Sequence, residues 1–172
     1  MLPADRESVS RQLGRTVRGD VSVGHRCRCG HADVLITGPR VDSGSPFPTT
    51  FYLTCPKAVA AVSTLEAGGL MAEMNARLSA DPDLASRYWA AHDDYLTRRS
   101  ALGEVDELRG VSAGGMPSRV KCLHALVAHS LVAGRGVNPF GDEVLDLLSE
   151  WGVAGSCLSD SAGQGAGEHQ ST

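Results

Sequence analysis

The amino-acid sequence predicts an α+β fold: a small three-stranded antiparallel sheet, begun by a hairpin, packed against four to five helices and followed by a disordered C-terminal tail. Three observations carry that prediction. Apolar residues recur with a period of two between Val21 and Thr54, the period changes to about 3.6 from Lys57 onward, and beyond Trp151 the Gly, Ser, Asp and Gln composition leaves almost nothing to bury. At 172 residues the chain is near the size of one domain, so residues 1–152 are expected to share a core and 153–172 to form the tail.

Val9 and Leu13 lie one helical turn apart among charged neighbours, which predicts a short amphipathic surface helix over residues 5–15. Val21 and Val23 alternate with polar residues, Val34 to Ile36 form a compact apolar run, and Gly30-His31 between them marks the turn of a hairpin. Gly44, Pro46 and Pro48 make 42–48 a rigid loop. Thr49 to Thr54, β-branched and aromatic, read as a third strand. It stops at Cys55-Pro56, where proline lacks a ladder donor and suits the first turn of a helix.

Val59, Val62 and Leu65 share one helical face, which Gly68-Gly69 ends, and Leu70, Met74 and Leu78 continue the pattern in another helix. Asp81-Pro82 pairs an N-cap with proline at the first helical position, opening a helix through Leu84, Tyr88, Ala91 and Tyr95 to about Leu102. After a glycine-containing loop over 111–117, Ser118 reads as the N-cap of a helix with Val120, Leu123, Val127 and Leu131 on its apolar side. Asn138-Pro139 interrupts it, and Val144, Leu145 and Leu148 predict a last short helix.

The net charge of -4 argues against general nucleic-acid binding, which needs a basic face. The first third is mildly positive, with eight basic and five acidic side chains over residues 1–57, so an anionic small molecule or an acidic protein partner stays open. No apolar run approaches the roughly 20 residues of a membrane span, and residues 1–18 lack the apolar stretch of a secretory signal, so a cytoplasmic protein is expected. In that compartment five cysteines, an odd number, read as thiols, metal ligands or catalytic groups rather than disulfides.

Cys55 stands at a strand-to-helix junction and Cys122 in the first turn of the helix expected from Ser118, flanked by Arg119 and Lys121. Unpaired amides, the helix dipole and nearby cations all favour a thiolate, so both are candidate catalytic residues. Each also reads as a small apolar filler. His129 follows Cys122 by seven residues and projects from nearly the same helical face, whereas His124 is rotated roughly 200° away and meets Cys122 only if the helix starts later.

His25, Cys27, Cys29 and His31 occupy alternate positions that an extended strand would turn to one side. The candidate metal ligands are Cys27, Cys55, Cys122, His124 and His129, for zinc or an iron–sulfur cluster. Gly114, Gly115, Ser118, Arg119 and Lys121 combine turn-forming glycines and two cations at a helix start, a candidate anion cradle that also serves as an ordinary loop and cap. The acidic and aromatic run His92-Asp93-Asp94-Tyr95 reads as an exposed helical face.

Two long blocks, Gly44 to Thr49 with Tyr52 to Pro56 and Ser112 to Met116 with Arg119 to His124, resemble the signature blocks of the DUF501 family. The likeness takes in Arg26-Cys27, Ser63, Leu65-Glu66, Ala128-His129 and Asn138-Pro139, and spans about Leu13 to Leu148. The resemblance implies a bacterial, cytosolic protein of an actinobacteria-rich, uncharacterised family with no assigned activity, cofactor or catalytic residue. It also implies a genetic setting near enolase, a septum-formation protein and an exopolyphosphatase. Cys27, Cys55, Cys122 and His124 fall in the matching blocks; Cys29 and Cys157 are peculiar to this sequence. Three readings follow: a Cys/His metal or iron–sulfur site, a thiol-dependent enzyme acting on an anionic small molecule, and a non-catalytic interaction module for cell division or the envelope.

Overall fold

The computed structural model describes residues 1–149, 151 and 155–158. Its elements run α1 (Pro3–Leu13), β1 (Val21–Arg26), β2 (Ala32–Thr37), β3 (Phe51–Leu53), α2 (Pro56–Ala67), α3 (Leu70–Ala80), α4 (Pro82–Ser100), a short 3-10 turn (Asp106–Leu108), α5 (Leu123–Ala133) and α6 (Pro139–Leu147). The strands form an antiparallel meander in the order β1-β2-β3, with Val23 opposite Leu35 and Val34 opposite Leu53. This is the α+β architecture that the change of period predicts.

Alternation along β2 divides the apolar residues between the two faces of the sheet. Val34 and Ile36 join the main core with the helices, whereas Leu35 packs with Val9 of α1, Val17 and Ala32 in a smaller cluster. Helix α5 lies across the main-core face. A Cβ at Gly24, where the β1 register shifts, would stand 2.9 Å from both Ile36 and Val132, so the bare backbone lets α5 seat against the sheet.

Local side-chain caps set the starts of α4 and α6. The Asp81 side chain accepts from the amides of Asp83 and Leu84 at 3.0 Å, and Asn138 accepts from Gly141 at 3.0 Å. Gly14, at φ 64°, ends α1. The core is tied to the loops by Tyr95, whose hydroxyl donates to the Pro48 carbonyl at 3.0 Å and accepts from the Thr50 amide at 2.6 Å.

One boundary differs from expectation and matters for the site. The helix expected from Ser118 begins at Leu123, because Asn75 of α3 holds residue 120 out of the helix. Its side-chain amide donates to the Val120 carbonyl at 2.9 Å, and its side-chain oxygen accepts from the Val120 amide at 2.8 Å. With both backbone groups of Val120 engaged sideways, a helix cannot pass through it.

The disorder expected of residues 159–172 lies outside the described residues. Of the stretch assigned to the tail, residues 155–158 are described, and Cys157 and Leu158 are buried. Among the described residues no helix is long and apolar enough to cross a membrane.

Candidate functional site

The late start of α5 changes what Cys122 can reach. As the N-cap, in extended conformation at φ -151° and ψ 109°, it is free of the rotation that separates residues two apart within a helix. Its thiol meets His124, and one donor atom from each of Glu66, Cys122 and His124 lies within 4.8 Å of the others. Glu66 comes from the last turn of α2. Its Oε1 accepts from the Leu123 amide at 2.7 Å and lies 3.2 Å from Nδ1 of His124, so one carboxylate both caps α5 and orients the imidazole.

The other ring nitrogen of His124 lies 3.2 Å from the Val59 carbonyl and 3.3 Å from the Ser63 hydroxyl. A carbonyl and a carboxylate can only accept, so both ring nitrogens are set to donate, which is the hydrogen-bond requirement of an imidazolium. The electrostatics agree. The hydrogen bond to Cys122, with the Glu66 charge adding to it, pushes His124 up to about 9 against the opposing effect of burial. The same bond lowers the Cys122 thiol, and the Ala125 amide at the helix start adds a smaller effect of the same sign.

Cys122 and His124 open onto a cleft of about 1110 Å³ between β3, the start of α2 and the loop over 110–121. The cradle residues Gly114, Gly115, Ser118, Arg119 and Lys121 all line it, and no carboxylate does among the described residues. The loop depends on glycine. At Gly115, φ +93°, an added Cβ would meet the Arg119 carbonyl oxygen at 2.6 Å; the Gly114 carbonyl accepts from the Lys121 amide at 2.7 Å, which folds the two cations back toward the cleft mouth.

A second cluster forms at the hairpin turn. The Cys27 amide donates to the His31 carbonyl at 3.0 Å, and the Gly30 amide to the Cys27 carbonyl at 2.9 Å, which curls the turn so that Cys27 and Cys29 share a side. Cys157 closes on them: the three sulfurs lie within 4.8 Å of one another, with Cys27 and Cys157 3.6 Å apart. This arrangement could hold a metal ion. Burial raises the Cys27 and Cys157 thiols. For Cys29, burial acts in the same direction but is outweighed by hydrogen bonds from the Cys27 thiol and from the His31 and Cys157 amides, which bring it to about 7.

The five expected metal ligands Cys27, Cys55, Cys122, His124 and His129 therefore do not converge among the described residues. Cys27 belongs to the sulfur cluster, and Cys122 and His124 to the cleft. Cys55, fully buried at the N-cap of α2, stands outside both groups. His129 belongs to the core. Its Nε2 lies 2.9 Å from an Asp94 carboxylate oxygen, its Nδ1 lies 3.2 Å from the Asn138 amide nitrogen, and its ring stacks on Phe51.

The alternate histidines also leave the cysteines, because His25 lies in β1 whereas the chain from Cys27 to His31 turns. His25 pairs with the buried Asp33 at 2.7 Å, and His31 with Ser8 at 2.8 Å. Sequence reasoning missed Glu66 and Cys157 as participants. The first had a signal in the Leu65-Glu66 block; the second had only the odd cysteine count.

A family model described as protein of unknown function (DUF501) matches residues 23–146. None of the curated proteins and none of the solved structures compared with the chain matches it.

Proposed function

The chain belongs to the DUF501 family, and from that premise we propose that it is a cytoplasmic thiol-dependent enzyme acting on an anionic small molecule, with Cys122 as nucleophile and His124 as its acid–base partner. The observation that carries the reading is the donor arrangement of His124: with Glu66 on one side of the ring and the Val59 carbonyl on the other, the imidazole is held protonated beside the sulfur. A thiolate paired with an imidazolium is nucleophilic at neutral pH, and the imidazolium supplies the proton that a leaving group needs.

The same arrangement speaks against this trio as a metal site, because a ring nitrogen that donates has no lone pair for a metal. Arg119 and Lys121 supply the charge complement of an anion, and the glycine loop leaves room for it. Five free thiols, with no disulfide among them, fit a reducing compartment.

The test is the alkylation rate of Cys122 against pH, followed peptide by peptide by mass spectrometry in the native protein. The expected midpoint is below the free-thiol value of about 8.5. His124→Gln is expected to raise it, with about tenfold slower reaction at neutral pH for each unit of rise. A wild-type midpoint at or above the free value removes the nucleophile and the proposal with it.

A second reading is favoured by a different observation, three sulfurs within 4.8 Å of one another. On that reading the chain also carries a metal centre, zinc or iron–sulfur, at Cys27, Cys29 and Cys157. Metal analysis and an absorption spectrum of anaerobically purified protein test it: bound zinc or iron is expected, and full native-state thiol titration with neither metal rejects it.

A further inference from the structure

We infer that Cys27, Cys29 and Cys157 form a hydroperoxide-reactive thiol centre, in which Cys29 meets the oxidant and a reversible disulfide between Cys27 and Cys157 fastens residues 155–158 to the hairpin turn. The inference goes beyond both readings above, since it needs neither Cys122 nor an ion. It rests on three sulfurs lying within 4.8 Å of one another, with Cys27 and Cys157 3.6 Å apart. A disulfide needs about 2.05 Å between its sulfurs, so a movement of about 1.5 Å closes the pair.

Burial gives the three thiols different parts. Cys29 is half-buried at the turn, whereas Cys27 and Cys157 are only 7% and 5% exposed. A dissolved oxidant therefore reaches Cys29 first, and the two covered thiols stand beside it as resolving groups within the main core. Cys27 and Cys29 are held together by the turn itself, through the bonds from the Cys27 amide to the His31 carbonyl and from the Gly30 amide to the Cys27 carbonyl. Cys157 alone among the three lies beyond residue 146, the last family-matched position, and it stands 130 positions from Cys27.

The chemistry closes in three steps. The Cys29 sulfur attacks a peroxide oxygen: the S–O bond forms, the O–O bond breaks, and the thiol proton leaves with the departing oxygen as an alcohol, or as water from hydrogen peroxide. The Cys27 sulfur then attacks the Cys29 sulfur, so an S–S bond forms and the hydroxyl leaves as water with the Cys27 proton. Exchange follows, in which the Cys157 sulfur attacks Cys27, its proton passes to Cys29, and Cys29 is a thiol again. Two thiols are thereby oxidised to one disulfide while the hydroperoxide is reduced to an alcohol and water. In a reducing compartment small thiols reopen the bond, so the fastening is transient. An ion on the three sulfurs and this disulfide exclude each other, because the disulfide removes two of its ligands.

The test treats the full-length protein, reduced and freed of metal by a chelator, with hydrogen peroxide and maps it by mass spectrometry without reduction. Arg28 lies between the two turn cysteines, so tryptic cleavage after it puts Cys27 and Cys29 on separate peptides. The expected product is a Cys27–Cys157 crosslink within one chain, reversed by dithiothreitol, with Cys29 left as a free thiol. Cys29→Ser should lose most of the crosslinking rate and Cys157→Ser all of it, while Cys122→Ser keeps the full rate. A crosslink that spans 130 positions should also raise the denaturant midpoint of the oxidised wild type.

Three results on the wild type alone overturn the inference, whatever the variants do: Cys29 driven to sulfinic acid while Cys27 and Cys157 stay reduced, a crosslink confined to Cys27 and Cys29, or three thiols that survive the treatment. An unchanged rate in Cys29→Ser overturns its part as the entry point, and an unchanged denaturant midpoint overturns the fastening. The metal content of the untreated protein decides the metal-centre reading separately, and the alkylation midpoint of Cys122 decides the nucleophile reading.

Discussion

Cys157 and Cys122 each stand within a few ångströms of other titratable groups, yet their surroundings have opposite chemical consequences. Around Cys157 the neighbours are further thiols in a buried place, and burial opposes ionisation. At Cys157 and Cys27 that opposition is offset only if a cation is brought in. Around Cys122 the cation is already present as His124, and the sulfur opens onto a cleft flanked by Arg119 and Lys121. The contrast shows that the partner and its access to solvent, more than the thiol, separate a metal ligand from a nucleophile.

The largest consequence of this contrast concerns stability. A structural metal contributes to folding free energy because the unfolded chain has no formed site for it. With free zinc at a thousandfold its Kd, the linkage amounts to about 4 kcal/mol. Denaturant melts with zinc and with a chelator should therefore separate widely for the wild type and for Cys122→Ser, and should coincide for Cys157→Ser. Coincident melts of the wild type would place the sulfur cluster on the same footing as any apolar packing.

The two regions also rest on glycines of different kinds. Gly115 adopts φ +93°, and an added Cβ would meet the Arg119 carbonyl oxygen at 2.6 Å, whereas Gly30 at φ +87° has open space around it. Gly30→Ala bears only the left-handed backbone cost of about 1 kcal/mol. Gly115→Ala must also displace backbone and is expected to cost about 3 kcal/mol in unfolding free energy. Equal costs at the two positions would mean that the cradle loop yields freely, which would weaken its role in shaping the cleft.

What the sequence makes legible follows the reach of each interaction. Asp81-Pro82 and Asn138-Pro139 carry their own caps within three residues, so those helix starts can be read directly from the chain. The start of α5 depends on Asn75, 45 positions away, which engages both backbone groups of Val120, and no local pattern records it. The displaced start is what brings Cys122 onto His124, a meeting that an earlier start forbids.

Cys157 was illegible for a related reason. It follows Gly155 and Ser156, with no periodic apolar pattern to mark a docked segment, and its partners lie more than 100 positions away. The individual cysteines could be nominated from sequence. Their division into two centres depends on tertiary contacts.

The smallest expected effect tests the charge of the cleft and leaves the thiol itself unchanged. Iodoacetate and iodoacetamide alkylate by the same chemistry and differ by one negative charge, so the ratio of their rates at Cys122, measured well above the thiol midpoint, reports the local potential. Arg119 and Lys121 are exposed, and a nearby unit charge in a water-like dielectric contributes about 1 kcal/mol. Replacing both by Ala should lower the iodoacetate-to-iodoacetamide ratio by up to about thirtyfold at low ionic strength, about fivefold for each charge, with the difference shrinking as salt is added. At Cys29, whose thiol the Cys27 hydrogen bond and two backbone amides bring down in place of a cation, the same double variant should leave the ratio where it was. A ratio at Cys122 that ignores the two cations would mean that the cleft does not select for anions, and the substrate class proposed for it would have to change.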